Sequence, residues 1–146
     1  MILAKYLSDE VKLTKLANHN GAGTSPITSS SVDMAGFTGA LFFTSFGTAA
    51  ANNVMKAQQS SDDGSSDAFS DLEGTSVASG TSDEDVWIDI VNPQKRYLLV
   101  IATPGTSSTV ESIWCLQYGA RALPQDNTTS GTIVGEQHNY PDEGTA

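Results

Sequence analysis

Residues 86–102 read VWIDIVNPQKRYLLVIA and give the clearest indication of fold class in the chain. Val86–Val91 is rich in β-branched and aromatic residues, and Arg96–Ala102 is apolar nearly throughout. The intervening Asn92-Pro93-Gln94-Lys95 is typical of a turn. We therefore predict two strands paired as an antiparallel hairpin, the second of them buried on both faces or covered by a partner element.

A second antiparallel pair is predicted upstream, from Gly39–Phe46 and Asn53–Gln59, joined by the small residues 47–52. Three alanines favour helix over residues 48–57, but Gly47 and two adjacent asparagines favour a tight connection instead.

Two further segments alternate in the manner of strands. Residues 109–118 are predicted as one strand, with Val110 and Trp114 on one face and Ile113 and Cys115 on the other. Residues 10–16 alternate in the same way. Together with the two predicted pairs, these segments have the length and spacing of strands in a sandwich or small barrel.

The composition points to an all-β protein, because Ser, Thr and Gly are abundant, helix-forming Lys and Glu are scarce, and turn clusters recur along the chain. We predict an antiparallel, jelly-roll-like β-sandwich of about seven to nine strands with extended terminal arms. Residues 1–31 would hold an N-terminal strand and polar arm, 32–124 the sandwich core, and 125–146 a C-terminal arm. Residues 18–31 and 125–146 are polar, and we expect them to be poorly anchored.

The 146 residues carry 17 acidic against 7 basic side chains, a net charge of −10. This imbalance argues against electrostatic binding to nucleic acid phosphates. Nine of the 17 acids lie between Asp62 and Asp89, and no basic residue occurs between Lys56 and Lys95. We expect these acids at solvent-facing tips and strand edges of the sandwich.

The sequence also bears on membrane insertion, secretion and disulfide bonding. Its apolar runs are too short to cross a bilayer, and residues 1–5 lack the pattern of a secretory signal, so we expect a soluble protein with no membrane partner. The single Cys115 excludes an intramolecular disulfide framework, and its place in a strand predicts a small buried thiol.

Enzymatic and metal chemistry find little support in the residue pattern. Residues 60–67 (SSDDGSSD) suggest a calcium loop, but their spacing does not match an EF-hand and instead favours a solvated hairpin tip. The only candidate general bases, His19 and His138, lie in polar segments, and no Gly-x-Ser-x-Gly elbow is present. We therefore predict a protein that is not an enzyme, with no catalytic residue, cofactor or metal.

The aromatic residues leave two interpretations open. Trp87, Tyr97, Trp114 and Tyr118 would suit a carbohydrate-binding platform if they were exposed, whereas their position within alternating strands favours the core.

Several short blocks resemble, in their order, a family of small structural proteins of tailed bacteriophages. The resemblance covers about residues 32–146, and the blocks are DMAGFTGALFF (33–43), KAQQS (56–60), DLEGTSV (71–77), KRY (95–97), LQYGARALP (116–124), GEQH (135–138) and EGTA (143–146). The resemblance implies a virion component of the head decoration or cement type, and it transfers no catalytic residue.

A head decoration protein has expected binding partners and an expected location in the virion. The partner would be the major capsid protein, together with self-association as a dimer or trimer, on the outer surface of the phage head and away from the polyanionic DNA. Residues 119–146 would leave the core and contact a capsid subunit or a sister copy. The candidate interface residues are Arg121, Glu136, His138 and Tyr140.

Two alternatives remain at this point. A head-to-tail connector or tail component would share the virion location but form a single ring of copies. A carbohydrate-binding β-sandwich module for surface attachment would require Trp87 or Tyr97 to be exposed, whereas the decoration protein predicts shielded tryptophans.

Overall fold

The computed structural model describes residues 6–127 and 133–145 of the chain. The extreme N-terminus and residues 128–132 of the predicted C-terminal arm lie outside the described residues, as does Ala146.

The described residues form one short helix and twelve strands. The elements are α1 (Leu7–Glu10), β1 (Lys12–Ala17), β2 (Asn20–Gly23), β3 (Ile27–Thr28), β4 (Val32–Asp33), β5 (Gly39–Phe46), β6 (Val54–Ser60), β7 (Ser70–Asp71), β8 (Val77–Ala78), β9 (Glu84–Val91), β10 (Tyr97–Thr103), β11 (Ser108–Val110) and β12 (Ile113–Tyr118). Seven of these strands have four or more residues, and the other five are shorter. No helix among the described residues is long and apolar enough to span a membrane.

The strands form two antiparallel sheets, which confirms the predicted all-β sandwich. In sheet I, β5 pairs with β9 on one side and with β12 and β11 on the other, and β1 and β2 extend the sheet beyond them. In sheet II, β10 pairs with β6 on one side and with β3 and β4 on the other, and β6 pairs in turn with β7 and β8. Strand β9 is therefore an edge of sheet I, and β7 and β8 form an edge of sheet II.

The core lies between the two sheets and follows from alternation along the strands. Phe42 and Phe46 of β5 are fully buried, as are Met55 of β6 and Leu98 and Val100 of β10. Burial of each such large apolar side chain contributes about 1.5–3 kcal/mol. The opposite faces of β5, β9 and β12 point away from this core.

Both predicted hairpins are wrong, because their strands lie in different sheets. β9 belongs to sheet I and β10 to sheet II, and β5 and β6 are divided in the same way. Residues 92–96 cross between the sheets, with the Asn92 N–H donating to the Thr38 carbonyl. Alternation shows only that one face of each strand meets the core. It does not distinguish two successive strands that pair within one sheet from two that lie in facing sheets, because both arrangements bury one face of each strand.

The predicted strand 109–118 is interrupted. Glu111 and Ser112 separate β11 from β12, and Val110 is buried whereas Trp114 points away from the core. The two residues shift the alternation, so the prediction that Val110 and Trp114 share a face is wrong. The interruption is held by the Glu111 N–H, which donates to the Ser45 carbonyl, and by the Thr44 hydroxyl, which donates to the Glu111 carbonyl.

The N-terminal region is better anchored than predicted. Within residues 18–31, β2 pairs with β11 and β3 pairs with β10, so the expectation of a poorly anchored segment is wrong there. The connection between β5 and β6 contains no helix, as predicted, and its buried Asn53 accepts a hydrogen bond from the Gly105 N–H at 2.6 Å.

Candidate functional site

Three aromatic residues form a row across the outer face of sheet I. Trp114 of β12 lies opposite Phe43 of β5, and Phe43 lies opposite Trp87 of β9. Because directly opposed residues in antiparallel strands point to the same face, the three side chains are neighbours. We call Trp87, Phe43 and Trp114 the aromatic row.

The row is exposed most strongly at the sheet edge. Trp87 is 63% exposed, whereas Phe43 and Trp114 are half-buried. The expectation that Trp87 belongs to the core is therefore wrong. In VWIDIV both faces of the strand carry apolar residues, and the core receives Val86, Ile88 and Ile90.

Two grooves flank Trp87, and both carry carboxylates. One has a volume of about 680 Å³ and is lined by the aromatic row together with Leu41, Asp85 and Glu111. The other, of about 540 Å³, runs along the free edge of β9 toward β8 and is lined by Val77, Glu84, Asp85 and Asp89. Among the described residues that line the two grooves, none is Lys or Arg.

The carboxylates around Trp87 are held in place by neighbouring donors. Asp85 accepts a hydrogen bond from the Ser45 hydroxyl, and Asp89 accepts one from the Tyr118 hydroxyl at 2.7 Å. The hydrogen bond to Asp89 raises the pKa of Tyr118 to about 12, because the phenolic proton that it holds would be lost on ionisation. Glu111 contacts His19 Nδ1 at 2.9 Å.

The terminal segments cover another part of the same face. Leu13 and Leu116, paired across β1 and β12, line a cavity of about 810 Å³ with residues of α1 and of 124–127 and 133–137. The Asn127 amide group ties the two ends together, since it donates to the Ser8 and Val11 carbonyls and accepts from the Leu13 N–H. The C-terminal arm therefore contacts α1 and β1 of its own chain through residues up to Gln137, whereas the described residues 138–145 are exposed.

The structure places all four predicted interface residues at the surface. Glu136 and His138 form a contact of 3.1 Å with each other. Tyr140 is 92% exposed. The Arg121 side chain is exposed and contacts no carboxylate of the described residues, while its backbone N–H donates to the Gly36 carbonyl. Only two of the four residues are thus brought together.

The acidic loop between β6 and β7 is a hairpin tip, as its composition predicted. The Asp62 carboxylate accepts N–H groups of Ser65, Ser66 and Asp67, and these bonds lower its pKa. Asp67 accepts Lys95 Nζ at 2.6 Å and the Ser61 N–H at 2.8 Å, which lowers the pKa of Asp67 to about 2. These oxygens bind donors of the protein itself, and no group of three metal-ligating side chains occurs among the described residues.

The residues considered for catalysis are not assembled into a catalytic group within the described ranges. His19 and His138 each pair with a glutamate, and no described serine or cysteine hydrogen-bonds to either ring. Cys115 is fully buried, as predicted, and burial raises the pKa of its thiol to about 12.

The aromatic row was missed from sequence because Phe43 is 44 positions from Trp87 and 71 positions from Trp114, the two residues that it pairs with. The signal available was the presence of Trp87 beside Asp85 and Asp89, since a strand face that alternates aspartate with tryptophan is unusual for a core. Comparison of the chain with family models, curated proteins and solved structures finds no match.

Proposed function

We propose that this chain is a structural protein of a tailed-bacteriophage virion that binds the outer surface of the head and stabilises the shell. The observation that carries the proposal is the aromatic row on the outer face of sheet I, with Trp87 exposed and Leu41 beside it. An exposed apolar patch rimmed by polar residues is typical of a surface that binds another protein.

The order of the sequence blocks over residues 32–146 supports the viral context. The partners would be the major capsid protein and further copies of this chain, as a dimer or trimer. The structure offers a docking surface in addition to the predicted arm, part of which already hydrogen-bonds to α1 through Asn127 and Gln137. In this proposal the outer face of sheet I faces the shell.

A second candidate function is carbohydrate binding, and the exposure of Trp87 favours it specifically. A flat indole beside hydroxyl and carboxylate groups suits a sugar ring. The decoration protein predicted shielded tryptophans, and this is wrong for Trp87 in the isolated chain. A docked protein would bury Trp87. The aliphatic Leu41 next to the row favours a protein partner over a glycan, because a protein interface has an apolar centre.

Co-sedimentation with empty heads of the parent phage tests the proposal. We expect the wild-type chain to pellet with the shells and Trp87→Ala to weaken binding at least tenfold, because buried tryptophans dominate protein interfaces. Tyr140→Ala is the matched control, since Tyr140 is an exposed aromatic residue of the C-terminal arm.

Each outcome identifies a different surface. A loss confined to Trp87→Ala supports docking through sheet I, and a loss confined to Tyr140→Ala transfers the interface to the arm. Failure of the wild-type chain to pellet, together with binding to a glycan array that Trp87→Ala abolishes, would replace the proposal with carbohydrate binding.

A further inference from the structure

We propose that Trp87 and its neighbouring carboxylates form a recognition site for a guanidinium group, presented by an arginine of the partner protein. This inference rests on the proposed function, because it names the chemistry of the partner at the same surface. It also accounts for the acidic residues around an otherwise apolar contact patch.

The charged side chains that line the grooves beside Trp87 are all acidic. Asp85 and Asp89 occupy the same outer face of β9 as Trp87, two residues before and two residues after it. Glu84 lines the groove on one side of Trp87 and Glu111 the groove on the other. Lys15 lies opposite Trp114 at the far end of the row, and His19 contacts Glu111, so the carboxylates of the two grooves that have no basic side chain beside them are those on β9.

The chain contains a related arrangement in which a guanidinium is bound. Arg96 lies over the Tyr97 ring, 5.2 Å from its centroid, and binds both carboxylate oxygens of Asp33 at 2.8 and 2.7 Å. Asp33 lies directly opposite Tyr97 across β4 and β10. An aromatic ring with a carboxylate on the neighbouring strand thus binds a guanidinium in this fold, and Trp87 has carboxylates on the same face of its own strand, at Asp85 and Asp89.

The aromatic row suits a planar cation. Indole is the strongest aromatic partner for a cation, and guanidinium stacks on it while keeping its N–H groups free for carboxylates. Trp87 and Trp114 lie two strands apart, about 10 Å between their backbones, with Phe43 between them on the same face. The groove of about 680 Å³ that these three residues line has room for a guanidinium beside Trp87.

A second copy of the same surface is a poor occupant. Two copies meeting face to face would bring Asp85 and Asp89 toward like charges, and juxtaposed like charges oppose association. The chain as a whole has a net charge of −10, which likewise favours a basic partner surface. We therefore assign the site to arginine on a different protein.

Nuclear magnetic resonance titration of the full chain tests the assignment. The probe is N-acetyl-arginine-methylamide, and the neutral control is N-acetyl-citrulline-methylamide, which has nearly the same shape. The chain has only two tryptophans, so Trp87→Phe assigns both indole N–H signals. We expect the arginine probe to shift both signals with millimolar saturation and the citrulline control to shift neither.

Matched charge variants separate a site from a general attraction. Asp85→Asn is expected to weaken arginine binding up to about fivefold, the effect of one exposed ion pair. Glu73→Gln removes the same charge from an exposed position outside the grooves and should leave binding unchanged. Equal effects of the two variants would overturn the proposal, since binding would then follow net charge alone.

The remaining outcomes also decide the question. Equal shifts with arginine and citrulline, or no shift with arginine, overturn the assignment, and shifts with maltohexaose alone assign the surface to a glycan. Arginine binding in a chain that fails to pellet with shells would retain this site while removing the proposed function. A chain that pellets with shells but does not bind the arginine probe would retain the proposed function and remove this site.

Discussion

Gly39 shows at the scale of one residue how the outer face of sheet I is built. It lies opposite Val91 and Tyr118 in its neighbouring strands, and the Tyr118 ring covers it. A Cβ atom at position 39 would lie 2.2 Å from Tyr118 Cζ. The absence of a side chain therefore lets Tyr118 reach Asp89 across β5.

Gly39→Ala should lower the free energy of unfolding by about 1–3 kcal/mol, because the Tyr118 ring must move and give up its hydrogen bond. Urea denaturation measures the change. Gly21→Ala is the matched control, since no atom lies within 4 Å of a Cβ built there. The arrangement is contradicted if the two substitutions cost the same, or if Tyr118→Leu does not reduce the cost at Gly39.

Individual residues differ in how far the sequence predicts them. Cys115 was predictable as a buried thiol, because a small uncharged residue within a long strand pattern finds few other places. The exposure of Trp87 was not predicted, because a tryptophan within an alternating strand was assigned to the core and the aspartates on its face, Asp85 and Asp89, were not weighed against it. Alternation fixes which residues share a face, and only the packing of the sheets selects the face that is buried.

At the scale of elements, the β6–β7 hairpin tip depends on charge as well as on backbone hydrogen bonds. Asp67 joins the tip to Lys95 just before β10. Its pKa in the folded protein, about 2, lies below the ordinary value near 4. Because the folded-state pKa is lowered, ionised Asp67 stabilises the fold above pH 4, and this contribution is lost as the pH falls from about 4 to 2.

Asp67→Asn should therefore reduce the free energy of unfolding at pH 7 and have progressively less effect as the pH approaches 2. Chemical denaturation over this pH range measures the difference between variant and wild type, with Glu73→Gln as the control for the same change in net charge. A difference that stays constant with pH would show that the hairpin tip does not depend on ionised Asp67.

Strand positions were largely predictable, whereas strand partners were not. β5, β6, β9 and β10 all lie where alternation placed them, within one or two residues. Their pairing depends on contacts across the sandwich, which local pattern does not encode, and both short connections cross from one sheet to the other. The interruption at Glu111 and Ser112 was missed for the same reason, since its hydrogen bonds come from the distant β5.

At the scale of the whole molecule, the acidic stretch of the sequence occupies one side of the sandwich. Residues 62–89 form β7, β8 and β9 with their loops, and these strands lie at the neighbouring edges of the two sheets. The nine acids within this stretch are all exposed or half-buried, as predicted. Two of them, Asp85 and Asp89, lie beside the aromatic row. The proposed contact surface is therefore part of the acidic side of the molecule.

The central claim is that the outer face of sheet I docks this chain on a protein shell. An electron cryomicroscopy map of the phage particle tests it most directly. We predict many symmetry-related copies on the outside of the head, with Trp87 and Phe43 against the shell and an arginine of the shell beside Trp87. Density for the chain inside the head, in a single ring at one vertex, or with Trp87 turned toward solvent would contradict the claim.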